Sequence, residues 1–241
     1  MGIVIDITFD VYSDTSKGRD PDSHSATLRR YHMELWSKPL PDGTPFILSD
    51  RRSGDYLLHN SPRGEFCLSS DSIGHTYRYV KAMARIVNLL PEDELDRFYS
   101  VCSTVGAYIV FPARMINGRI TINAARGLNR KIRDRFDLTL ECIRLHYLGQ
   151  ESPLSAVLAR YDNFFGLFEC FRGYVDFFLL QDLVSLDGTS INFFLPFEGF
   201  ESLPLPSDVN GYRSYRDNMV AFVTARNWRI AEKSGGAGPL L

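Results

Sequence analysis

Cysteines are few and far apart. Cys67, Cys102, Cys142 and Cys170 are the four in 241 residues, and no CxxC or Cys–His spacing joins them. That removes the sequence basis for a zinc site or a disulfide framework. Each sits in apolar company, as expected of reduced, buried thiols. The chain also lacks HExxH, GxxxxGK[ST], GxGxxG and GxSxG, so zinc-protease, P-loop, dinucleotide-fold and α/β-hydrolase readings lose their support. Positive charge is not in surplus: 27 Lys and Arg face 29 Asp and Glu, for a net charge of −2. That argues against a nucleic-acid coat protein and leaves a local basic patch open. No apolar run approaches the ~18 to 20 residues that cross a bilayer. The start, MGIVIDITFD, has acids where a signal peptide has basic residues. A cytoplasmic, soluble protein with no membrane contact and no metal is the expectation.

Aromatics are abundant, at 13% with 17 Phe and 12 Tyr, and point to an aromatic-heavy core. The length suits one large domain. Alternating Ile/Val with Asp and Thr over 3–11 predicts an opening strand. Ser25 or Thr27 caps a helix running to about Trp36, and KPLPDG stops it. Short runs at 46–49, 56–59 and 65–69, separated by turn formers, predict an antiparallel meander. A helical pattern covers 75–90, and a second helix, 91–102, starts at Pro91 with acids in its first turn. An apolar strand follows over 107–112. Asn117-Gly118 signals a hairpin with a return strand over 119–123. Segment 154–171 is helical. Segment 174–184 (YVDFFLLQDLV) is either a buried strand or a helix. A strand over 191–196, a loop over 198–206, a closing helix over 212–233 and a flexible tail over 234–241 complete the chain. The fold class is α+β, one domain over 1–241, with a largely antiparallel or mixed sheet packed against several helices.

The most patterned stretch is TINAARGLNRKIRDRFDLTLECIRLHY, 121–147. Ile132, Phe136, Leu140 and Ile143 form an amphipathic stripe. Arg133–Asp137 and Glu141–Arg144 have the spacing of helical ion pairs. Gly127 lets the backbone approach a ligand, and the arginines around it suit an anion such as a nucleotide phosphate. A self-paired, solvated helix face is the bland alternative. His24, in DPDSHS, lies among carboxylates that suit a phosphate, a hard metal or a capped turn. Asp176 and Asp182 fall within an apolar run, so each needs a partner; an arginine of the patterned helix is the expected one.

The strings DPDSHSATLRRYHMELWSKPLPDG, DRFDLTLECIRLHY and GYVDFFLLQDLV resemble a widespread bacterial family of single-domain proteins of unknown function. The resemblance implies a bacterial or phage-linked cytoplasmic protein and carries no catalytic residue with it. A weaker likeness is to ADP-ribosyltransferase toxins, in the order strand (EFCLSS, 65–70), helix, strand (107–112). Ser-Ser-Asp stands where that class has Ser-Thr-Ser, and no Glu-x-Glu is present.

That likeness implies an NAD-using transferase or glycohydrolase of toxin or phage-defence type, acting on nucleic acid or protein. Arg29, Arg126 and Arg130 would clamp the pyrophosphate. Ser69 and Ser70 would orient the nicotinamide ribose, and Arg29, Arg30 or His32 would serve as the early cofactor residue. Glu141 or Glu198 would stabilise the oxocarbenium-like centre. Two alternatives stand beside it. One is a nucleic-acid- or nucleotide-binding protein using the basic stretch 126–135. The other is a non-catalytic module partnered with an antitoxin or chaperone.

Overall fold

The computed structural model describes residues 3–50 and 57–235. In chain order the elements are α1 (Pro21–His24), α2 (Ala26–Trp36), β1 (Lys38–Pro39), β2 (Pro45–Phe46), β3 (Leu57–Ser61), β4 (Gly64–Ser72), α3 (Ala84–Val87), α4 (Glu92–Cys102), β5 (Tyr108–Pro112), α5 (Ile122–Leu128), α6 (Phe136–Tyr147), α7 (Ser155–Leu158), α8 (Asp162–Phe165), α9 (Phe171–Phe177) and α10 (Val209–Lys233). The class is α+β: β1 pairs with β2, and β3-β4-β5 form an antiparallel sheet with β4 in the centre. Among the described residues, no helix is long and apolar enough to cross a membrane.

Several elements form where local chemistry requires them. Ser25 accepts the Leu28 N–H at 3.0 Å and caps α2. Pro91 precedes α4, whose first turn carries Glu92, Asp93 and Glu94. Asn117 and Gly118 both have positive φ (54° and 69°), and Ile116 bridges Arg119, so the hairpin turn is present. The ambiguous segment resolves as helix, since α9 and a 3-10 turn (Gln181–Leu183) occupy it. Gly173 is required there: a Cβ would come within 2.1 Å of the Phe168 carbonyl oxygen.

Other expectations are corrected. Residues 3–11 form turns rather than a strand. Asp6 accepts from Thr8 N and Asp10 from Tyr12 N, both at 2.9 Å, so side chains take the bonds a ladder would use. The helix expected over 75–90 shrinks to a 3-10 turn (Lys81–Met83) and α3, because Tyr77 has φ 53° and the segment before it is irregular. Thr121 caps α5 rather than continuing a return strand. The strand expected over 191–196 reduces to one bridge, Val184 to Ile191. Asp176 pairs with Arg172 and Asp182 with Arg229, so neither meets the patterned helix. Cys170 is exposed and Cys67 half-buried, while Cys102 and Cys142 are buried. The turn between the first two meander strands lies outside the described residues over 51–56, as does the tail from 236 on.

The core is aromatic. Phe164, Phe168, Tyr174, Phe177 and Phe178 pack edge-on or tilted at 4.9 to 6.5 Å, and Trp36 extends the cluster to α2. Tyr212, Tyr215, Met219, Phe222, Arg226 and Ile230 recur at three- and four-residue steps and bury one face of α10. Arg226 is fully buried and its guanidinium donates to three carbonyls, Gly106 O and Tyr108 O at 2.7 Å and Phe178 O at 3.1 Å, while lying 5.7 Å over the Trp36 ring. Burial lowers its pKa to about 9, with Tyr174 opposing. It ties α10 to β5 and to the end of α9. Arg226→Leu strips three buried carbonyls of donors and is expected to cost about 3 kcal/mol or more, read as a lowered urea midpoint.

Candidate functional site

A cavity of about 680 Å³ opens where α1, the end of β4, segment 74–80 and the α5–α6 connection meet. Tyr12, Asp22, Asp71, His75, Tyr108 and Asp134 are among the residues on its wall. Asp20 caps α1 by accepting Asp22 N at 3.1 Å, and Pro21 fixes the first turn, so Asp22 is held by a rigid entry. The two-residue period of β4 buries Phe66, Leu68 and Ser70 on one face and sends Ser69 and Asp71 to the other.

Segment 74–80 is pinned from behind. A Cβ on Gly74 would come within 2.7 Å of Cys102 Sγ, so the backbone passes tight against α4. Tyr215 donates to His75 O at 2.9 Å, and Tyr212 donates to Thr76 O. Tyr77 donates across the cavity wall to Arg133 O at 3.1 Å. Tyr77, Arg133 and Asp134 all hold positive φ, at 53°, 46° and 63°. Left-handed backbone at non-glycine residues costs energy, and here three such residues border one cavity.

The charges behind the wall meet on Arg126, which has no exposed side-chain surface. Its Nε donates to Thr139 Oγ1 at 3.0 Å, its Nη1 pairs with Asp71, and its Nη2 lies 3.3 Å from both Ser72 O and Asp134 Oδ1. The guanidinium also lies over the Phe111 and Phe136 rings at 5.5 and 5.6 Å. Burial opposes the charge of Arg126, and Asp71 and Asp134 outweigh it. His75 Nε2 is 3.0 Å from Asp134 Oδ2. Burial also works against the Asp134 carboxylate, but Arg126 and His75 hold its pKa down to about 2. For Asp71, burial raises the pKa, with Arg126 opposing and Asp134 adding to the rise.

Asp22 differs from both. Burial, then the nearby charges of Asp71 and Asp20, push its pKa up to about 8, with Ser70 and Arg126 opposing. Its Oδ1 is buried without a hydrogen-bond partner among the described residues. One cavity therefore holds a neutral carboxylic acid beside an anionic carboxylate, the division of labour that acid–base chemistry needs.

The residues singled out from sequence divide into two groups. His32, Ser69, Ser70 and Arg126 gather on β4: His32 Nε2 is 3.0 Å from Ser70 Oγ, Asn123 of α5 donates to Ser70 O at 3.2 Å and to Ser69 Oγ at 3.3 Å, and Arg126, also of α5, meets Asp71 and Ser72 at the end of that strand. The others lie apart. Glu141 is buried against Arg144 at 2.7 and 2.8 Å, the expected pair, and is not on the cavity wall. Glu198 and Arg30 are exposed, and Arg29 is half-buried and donates to Ser23 O. Arg130 borders a shallow groove with Lys131, Glu151 and Glu201. In the basic stretch 126–135, Arg126 and Arg135 are buried and paired, Arg135 with Asp137 rather than Arg133 taking that partner. Asp71, His75 and Asp134 are not among the residues that the sequence singles out, and Asp22 enters there only as one of the carboxylates around His24. The legible signal was that Asp22 sits in a proline-fixed polar loop and Asp71 ends an apolar strand pattern.

Two outcomes follow from these charges. A carboxyl with raised pKa keeps its proton in the folded state between pH ~4 and ~8 while the unfolded chain has lost it, so stability falls as pH rises through that window. Asp22→Asn is expected to flatten the decline, measured as urea midpoints from pH 5 to 8. Arg126→Met leaves two acids without their shared cation and is expected to cost about 3 to 5 kcal/mol at pH 7, checked by the same titration.

No curated protein and no solved structure matches the chain. A family model described as "Family of unknown function (DUF6994)" matches residues 5–230 and so takes in the whole cavity. The chain belongs to that family of unknown function.

Proposed function

We propose that the chain cleaves a glycosidic bond at ribose, and that its substrate is a nucleoside or nucleotide whose base must be protonated to leave. The observation that carries this reading is a protonated Asp22 on the wall of the same cavity as the anionic Asp134. Asp22 donates its proton to the ring nitrogen of the base as the C1′–N bond breaks. Asp71 or Asp134 stabilises the positive charge that develops on the ribose, and water adds at C1′ as its proton passes to the Asp22 carboxylate, which restores the acid. Tyr12, Tyr99 and Tyr108 on the wall supply flat faces for a base. A cavity of about 680 Å³ suits a ligand of this size.

NAD hydrolysis or ADP-ribosyl transfer is the second reading. Its leaving group, a pyridinium, departs neutral without a proton, so this reaction uses the carboxylates and not the acid. The anionic Asp134 beside Asp71 favours it. A toxin or phage-defence role in the cytoplasm, with an antitoxin or chaperone partner, goes with this reading.

Incubation with purine and pyrimidine nucleosides, their 5′-monophosphates and NAD, followed by chromatography for free base, separates the two. Base release from a nucleoside or nucleotide, lowered about 10²- to 10⁴-fold in Asp22→Asn and declining above pH ~8, is the expected result. Nicotinamide release that Asp22→Asn leaves unchanged supports the second reading. No release from any of these compounds overturns both.

A further inference from the structure

Much of the charge on the cavity wall is matched inside the protein. Asp71 and Asp134 share Arg126, and Asp134 also meets His75 at 3.0 Å. Arg78 is held from α4, by Asp96 at 2.9 Å and Glu92 at 3.2 Å. Two cations on the wall are left over. Arg19, in the loop before α1, and Arg133, in the α5–α6 connection, both line the cavity and both are exposed. Neither guanidinium has a hydrogen bond or an ion pair among the described residues. The acids closest to Arg133 in sequence are already taken, Asp134 by Arg126 and His75, and Asp137 by Arg135. Asp20, also on the wall, gives its Oδ1 to the Asp22 N–H at 3.1 Å.

Arg133 also stands where the backbone suits another residue. Its φ is 46°, and it is held there from both sides: its N–H donates to Asn129 O at 2.8 Å, and its carbonyl accepts from the Tyr77 hydroxyl at 3.1 Å. Glycine takes that conformation at the least cost, and an arginine in it is strained. No polar contact of its side chain within the described residues offsets that strain, which leaves a ligand in the cavity to do so. We infer that Arg133, with Arg19, binds the 5′-phosphate of the substrate, so that the cavity takes nucleoside monophosphates in preference to nucleosides. This inference rests on the reading of the cavity as a site for ribose and its base. A guanidinium presents two parallel N–H donors to phosphate oxygens and matches them in charge and in shape. Asp134, one of the two carboxylates assigned to the ribose, is the next residue in the chain, about 3.8 Å away between Cα atoms. Two consecutive residues thus supply an anion for C1′ and a cation for the phosphate across the same sugar ring.

The test is calorimetric titration of the full chain with two probes, an adenosine analogue whose base is carbon-linked and cannot be cleaved, and the 5′-monophosphate of that analogue. The monophosphate is expected to bind about 10- to 100-fold more tightly than the nucleoside. Arg133→Gly is expected to erase most of that preference, to leave the affinity for the nucleoside unchanged, and to unfold at a urea midpoint equal to or above that of the wild type. Arg133→Lys keeps the charge without the fork and is expected to keep part of the preference. Arg19→Gln is expected to lower it as well. Equal affinities for the two probes in the wild type overturn the phosphate site and leave base cleavage standing. A preference that survives in both Arg133→Gly and Arg19→Gln overturns the assignment to these arginines. A midpoint well below that of the wild type in Arg133→Gly makes the residue a structural one. Binding of neither probe overturns the reading of the cavity, and the phosphate site with it.

Discussion

Arg126 carries its charge out of reach of water, and the arrangement of the cavity depends on how that charge is matched. Two acids from different parts of the chain converge on it, Asp71 from the end of β4 and Asp134 from the α5–α6 connection. A buried guanidinium without them would be costly, and either acid without it would rise in pKa until it lost its charge. Asp22 lies beside this matched set without an ion-pair partner of its own among the described residues. Its burial is the first cause of a pKa raised to about 8, the charges of Asp71 and Asp20 add to the rise, and Arg126 offsets only part of it.

The rest of the fold holds that volume still. The aromatic cluster of α8, α9 and Trp36 gives the core its mass, and α10, about 38 Å long at 1.5 Å per residue, runs along it. From α10 the Tyr212 and Tyr215 hydroxyls reach the carbonyls of Thr76 and His75. The same helix buries Arg226 on the carbonyls that open β5. Packing, strain and polar anchoring therefore act on one loop, 74–80, and fix the wall of the cavity before any ligand arrives. A wall set in advance is what electrostatic catalysis requires.

The sequence makes the long periodic pieces legible, because burial alone decides them. The caps at Ser25 and Pro91, the strand at β5, the Asn117-Gly118 turn and the extent of α10 all follow from local patterns. Segment 75–90 misled because Tyr79, Ala82, Met83 and Ile86 keep a helical period while the backbone is set by distant tyrosines of α10. The cavity itself was legible only in part. Arg126, Ser70 and His32 stood out by type, but their roles depend on contacts 13 to 55 residues away in the chain. Glu141 drew attention by its place on a charged helix, and that same spacing gives it Arg144 as a partner. Asp22 and Asp134 look like surface acids in sequence, since nothing local tells of the burial that separates their pKa values.

The most direct measurement is a crystal structure grown with an adenosine analogue whose base is joined to ribose through carbon and so cannot be cleaved. The account predicts the base and ribose inside the cavity, with the Asp22 carboxyl at hydrogen-bonding distance from a ring nitrogen and a carboxylate of Asp71 or Asp134 facing C1′. An analogue seated elsewhere on the molecule, with the cavity holding only water, would contradict it.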